Sequence, residues 1–181
     1  MRRAVVALPA LAAVLLGAVP ASAVSASAVP ASAVSAATAE GWEPAPATPW
    51  DVPAGARCDF PVHGEPVVDE VVRRVLAVGP DGSPKRVAYK GDLVVRVTNT
   101  DSGASHDADA SGTAVVDYGA DGSQTWFVRG PVLVGVGENG GNLPRGLYLV
   151  DGVYTLHIGP TGYKTVAMAH GTVDELCSHI D

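Results

Sequence analysis

The chain has 181 residues, 47% of them hydrophobic and 17% charged, with a formal net charge of −7. Arg2 and Arg3 are its only charged residues before Glu40, so the chain beyond them sets 10 basic side chains against all 19 acidic ones, a net of −9 with histidine neutral. Such a surface repels phosphate backbones and anionic headgroups, and no basic cluster overrides it, which argues against nucleic-acid binding.

Met1-Arg2-Arg3 is a short positive region, Ala4 to Val19 is apolar, and Ala21-Ser22-Ala23 supplies the small-x-small pattern of a cleavage site. Residues 1–23 are therefore predicted to be a signal peptide. A ten-residue unit follows twice, VPASAVSASA from Val19 and VPASAVSAAT from Val29, and extends the possible cleavage positions to residue 33. Pro20, Pro30 and the serines interrupt a spanning helix, so no membrane span is expected after processing. The expected location is secreted, extracellular. Residues 24–56 read as an Ala/Ser/Pro-rich linker, with Pro44, Pro46, Pro49 and Pro53 in its second half and Trp42 and Trp50 able to dock onto the domain or a partner, through contacts expected to be loose. Residues 57–181 are left for a single domain with one core.

Within that domain turn signals recur every 8 to 15 residues or so. Cys58 to His63 reads as a first short strand. Pro66 to Ala77 fits helical spacing through Val67, Val68, Val71, Val72, Val75 and Leu76, but it is β-branched and runs into Gly79-Pro80-Asp81-Gly82, so a hairpin returning through Arg86 to Tyr89 is preferred. Leu93, Val95 and Val97 alternate with Val94, Arg96 and Thr98 as a half-buried strand. Asn99 to Gly103 is a turn. The next strand puts Ser105, Asp107, Asp109 and Ser111 toward solvent and Ala104, His106, Ala108 and Ala110 inward. Strands through Val115 to Tyr118, Ser123 to Arg129 and Val132 to Val136 follow. Gly146 to Ile158 then carries Asp151-Gly152 between two alternating runs, the strongest short-range hairpin signal in the chain. A turn there would pair Val150 with Val153 and gather Leu147, Leu149, Tyr154, Leu156 and Ile158 on one face, leaving Tyr148 and Val150 on a mixed face. Tyr163 to Thr172 is the last strand, and Val173 to Asp181 has room for a terminal helical turn. The expectation is an all-β fold of about eight to ten antiparallel strands, a β-sandwich or a closed β-barrel.

The order of short elements in this segment resembles a group of small secreted proteins of high-GC Gram-positive bacteria. Those elements are Cys-Asp-Phe-Pro-Val from Cys58, VVRVTNTDSG, Ser111-Gly112, Gly-Ala-Asp-Gly-Ser with Trp126, Gly130-Pro131-Val-Leu-Val, Gly146-Leu-Tyr-Leu, and Gly171-Thr-Val-Asp-Glu-Leu-Cys177. The resemblance implies export and an all-β domain with cysteines near both ends. It carries over no defined activity and no catalytic residue. Members of that group tend to have larger apolar residues where this chain has His106, Ala108 and Ala110.

The two cysteines, Cys58 and Cys177, bracket the domain, and in an exported chain two cysteines predict one disulfide. Ser105-His106-Asp107 has the residue types of a hydrolase triad, but neighbours on a strand point to opposite faces and cannot converge. His63, His106, His157, His170 and His179 lack the close spacing of zinc sites, and Asp107 and Asp109 lack the rest of an EF-hand loop. No catalytic set, metal or cofactor is assigned. His106 alone stands out: inward among small alanines, it suggests a ligand pocket. The reading is thus a monomeric, non-enzymatic extracellular or envelope-associated binding domain for a protein or small-molecule ligand. The alternatives are a barrel-type enzyme, a hydrolase or isomerase with a pocket near His106, and a structural or adhesive surface protein.

Overall fold

The structure, a computed structural model, describes residues 41–181; the predicted signal peptide, its cleavage positions and the Ala/Ser-rich stretch after it lie outside the described residues. Twelve strands follow one another: β1 (Glu43–Pro44), β2 (Trp50–Val52), β3 (Val62–Asp69), β4 (Val72–Val78), β5 (Pro84–Lys90), β6 (Leu93–Asn99), β7 (Ser105–Asp109), β8 (Thr113–Tyr118), β9 (Gln124–Arg129), β10 (Val132–Val136), β11 (Gly146–Ile158) and β12 (Lys164–Glu175). A 3-10 turn, Cys177–His179, follows β12. No helix among the described residues is long and apolar enough to cross a membrane.

All named strand pairs are antiparallel and form two sheets in a sandwich-like arrangement, not a closed barrel. The smaller sheet runs β2-β3-β6-β7. The larger begins β1-β4-β5-β8-β9 and reaches β11. There β9 pairs with Val153–Ile158 and β10 with Gly146–Val150, so the two cover successive halves of β11, while β12 lies along it from Tyr148 to Ile158. The ambiguous segment at 66–77 is extended rather than helical, as preferred, but it breaks at Glu70–Val71: Pro66–Asp69 ends β3 in the smaller sheet, and only β4 forms the hairpin with β5, Val75 pairing with Val87 across the Gly79–Gly82 turn. Three hairpins close alike, with the backbone N–H of Gly79, Gly119 and Gly159 each donating at 2.8 Å to the carbonyl of Ser83, Ser123 and Tyr163.

The stretch from Gly146 to Ile158 departs from expectation. It is one continuous strand, not a hairpin at Asp151-Gly152. Gly152 does have positive φ (137°), but it pairs with Gly171 of β12 (φ 144°), and a side chain at residue 152 would come within 2.7 Å of the Gly171 Cα. The two glycines allow the paired strands to touch backbone to backbone where the sheet bends, with a bulge at Val153/Tyr154. The same Asp-Gly signal that marks a turn thus marks a bend. The face assignment changes with it. Tyr148, Val150, Tyr154 and Leu156 share one core with Val116, Val128, Val134 and Val136, whereas Leu147 belongs to the second core with Val62, Val95, Val97 and Ala108. The first half of β11 is buried on both faces, which is why GLYLV is apolar without alternation.

Leu176 and Ile180, both fully buried, plug the second core from the C-terminal end. Buried Asn99 holds them there: its Nδ2 donates to the Ile180 carbonyl at 3.0 Å, and its Oδ1 accepts from the backbone of Asp101 and Ser102. The predicted disulfide Cys58–Cys177 ties the terminal turn to the chain ahead of β3.

Residues 41–56, expected to be a loosely attached arm, are built into the fold. Glu43–Pro44 pairs with β4 and Trp50–Val52 with β3. The Ala45 N–H donates to the Val71 carbonyl at 2.9 Å and the Ala47 N–H to Asp69 Oδ2 at 2.7 Å. The prolines do not prevent this, because an edge strand leaves one row of amides unpaired in any case. Gly64 then receives the Trp50 ring: a Cβ at residue 64 would lie inside that ring.

Candidate functional site

The docked arm and the two sheets line a partly open cavity of about 300 Å³. The larger sheet contributes Tyr89, Ala114, Trp126, Val132 and Leu133, the smaller sheet Pro66, Leu93 and Val95, and the arm covers it with Ala47, Thr48 and Trp50. Each wall follows from strand alternation. Leu93 and Val95 are inward on β6, and Tyr89 and Trp126 are inward on β5 and β9. The aromatic wall is braced. The Tyr89 and Trp126 rings stack with centroids 6.2 Å apart, Trp126 Nε1 donates to Gln124 Oε1 at 2.9 Å, and the Tyr89 and Tyr118 hydroxyls are hydrogen-bonded at 2.9 Å. Burial, followed by that hydrogen bond, holds the Tyr118 hydroxyl well above its usual pKa and so protonated. The open volume arises where large residues are missing, at Ala110, Gly112 and Ala114.

On the other face of the larger sheet lies a groove of about 480 Å³. Its floor is one cross-strand row, Ala88–Val115–Phe127–Thr155–Ala167. Phe127 is 48% exposed and Val153 beside it 38%. Lys90 and Arg129 line it, and neither pairs with a carboxylate among the described residues. Trp42 forms an end wall, with Lys90 Nζ 4.4 Å and Arg74 Cζ 5.1 Å from its ring centre. Cavity and groove share Tyr89, Lys90 and Ala114.

His106 is not among the residues of either space. It points inward from β7 as predicted, half-buried, but its ring lies against His179 of the terminal turn, with centroids 4.9 Å apart. Ala110, four residues further on, is the member of the same inward row that reaches the cavity. Ser105 and Asp107 point outward, and Asp107 accepts two hydrogen bonds from Arg96 at 2.7 and 2.8 Å; that guanidinium holds its carboxyl below the usual range. Asp109 accepts from the Ser111 backbone. His63 contacts Asp51 at 2.8 Å, His157 contacts Thr125 at 3.1 Å, and His179 contacts Asp174 at 3.0 Å. Among the described residues no three His, Cys, Asp or Glu side chains are grouped so as to hold a metal ion.

Trp42, Trp50, Tyr89, Lys90 and Trp126 line these spaces; of the five, only Trp42 and Trp50 stand out in the sequence, as residues able to dock. A signal for the layout was present in the glycine spacing. A turn glycine is followed eight or nine residues later by a second glycine at Gly82/Gly91, Gly103/Gly112, Gly122/Gly130 and Gly162/Gly171. Gly91 and Gly112 mark where the chain crosses from one sheet to the other and back. Both crossings line the cavity. Compared with family models, with curated proteins and with solved structures, the chain matches none.

Proposed function

We propose that the protein is an exported binding module that holds a small, largely apolar ligand between its two sheets. The observation that carries this reading is the cavity of about 300 Å³ beneath Trp50, Tyr89 and Trp126. Its size lies at the lower end of the roughly 300–1,000 Å³ typical of ligand pockets. An apolar lining with few polar groups favours binding over chemistry, and stacked aromatic walls offer area at little cost in conformational entropy. Export is supported by the leader-like start of the chain and by a disulfide that oxidising compartments preserve.

Isothermal titration with 1-decanol tests the reading, since two cavity tryptophans give an independent fluorescence signal for the same event. Saturable binding to one site is expected, and Ala110→Leu, whose side chain grows into the cavity, is expected to abolish it without lowering Tm. Absence of saturable binding, or equal binding by the Leu variant, would remove the cavity as the site.

A further inference from the structure

Among the described residues Lys90 is the one charged residue in the lining of the inter-sheet cavity. It ends β5, immediately before Gly91, where the chain crosses between sheets. The residue is exposed and lines both the cavity and the outer groove, at the end of the strand that separates them. Among the described residues no carboxylate pairs with it. Of the ten basic residues described, Arg73, Arg86, Arg96 and Arg145 pair with acidic side chains, and Lys90 instead rests its ammonium over Trp42. Among the described residues no acidic side chain lines the cavity or the groove. The chain's net negative charge repels an anion over most of the surface, so an unpaired cation at the rim of an apolar cavity provides a local point of attraction.

From this placement we infer that the ligand is an anionic amphiphile, with its apolar tail between Trp50, Leu93 and Trp126 and its anionic head at Lys90. This deepens the binding reading above and rests on it. A cation on a flexible stem at a mouth reaches a head group while its methylenes extend the apolar wall. Trp42 holds the ammonium in place before the ligand arrives, which lessens the ordering cost of forming the new pair.

The test compares two probes with the same tail, decanoate and 1-decanol, titrated into the wild-type protein and into Lys90→Gln at neutral pH and low salt. Decanoate is expected to bind about fivefold more tightly than 1-decanol, the scale of a partly exposed ion pair. Added salt is expected to erase that preference. Lys90→Gln shortens the apolar stem and is expected to weaken both probes, but decanoate more, so that the two affinities meet. Equal wild-type affinities for the two probes would overturn the anionic head while leaving the cavity reading intact. A preference for decanoate that survives in Lys90→Gln would overturn the role of Lys90. Failure of both probes to bind would remove the cavity reading and this inference together.

Discussion

Gly64→Ala is the substitution that most directly probes how the arm covers the cavity. Alanine is the better strand residue and on backbone grounds alone should stabilise by about 0.5–1 kcal/mol. Against this, the added Cβ lies within the Trp50 ring, with the Trp50 Cη2 at 2.8 Å and two further ring atoms nearer still. The ring is packed against the second core through β2 and has to move, and overpacking of this kind costs about 1–3 kcal/mol. The net expectation is a loss of about 1–2 kcal/mol, with Trp50 emission shifted toward that of a solvated indole. A Trp50→Ala background removes the clash, and there Gly64→Ala should be neutral or slightly stabilising. The coupling energy between the two positions is then about 2 kcal/mol, within the range found for residues in contact. Urea denaturation of the four proteins in this cycle, followed by circular dichroism, measures it. Equal costs for Gly64→Ala in both backgrounds would refute the placement of the Trp50 ring over Gly64 and with it the covering of the cavity by the arm.

Three further outcomes follow from the fold. Reducing Cys58–Cys177, or replacing both with alanine, opens a loop of 119 residues, for which the chain-entropy model gives a loss of up to ~4.7 kcal/mol; the urea midpoint should fall accordingly. Gly152→Ala places a Cβ against the His170 carbonyl and 2.7 Å from the Gly171 Cα at a φ of 137°, so a loss exceeding about 3 kcal/mol, or failure to fold, is expected in expression and thermal-melt assays. Burial raises the Tyr154 pKa above that of the unfolded chain, so the folded state holds its proton where the unfolded state releases it. The associated stability is complete below the unfolded value of about 10 and is lost as pH rises beyond it. Tyr154→Phe should flatten that alkaline decline in a pH series of urea melts, while losing about 1 kcal/mol at neutral pH with the hydrogen bond to the Val150 carbonyl.

What was legible in the sequence was local. Alternation placed Leu93, Val95 and Val97 inward and Asp107 and Asp109 outward, and the Gly-x-x-Gly turns and the cysteine pair emerged as expected. The expectation of export rests on residues outside those described. Asp151-Gly152 misled because a positive φ serves two purposes, tight turning and close strand approach, and only the partner Gly171 tells them apart. The arm misled because proline content reports on backbone amides, whereas docking was decided by a space at Gly64 fitted to an indole 14 residues earlier. The expectation that small inward residues on β7 leave volume holds at Ala110. Four residues along a strand is about 13 Å, which takes His106 to the terminal turn and His179. The cavity itself belongs to no segment: its walls come from seven strands and four sheet-to-sheet connections, so it exists only once both sheets are assembled.

Native mass spectrometry of the protein equilibrated with 1-decanol, for the wild type and for Ala110→Leu, tests the central claim most directly. One adduct retained by the wild type under native conditions, lost on denaturation and absent from the leucine variant is the predicted result. A bare wild-type chain, or an adduct of equal occupancy in both proteins, would contradict a ligand site between the sheets.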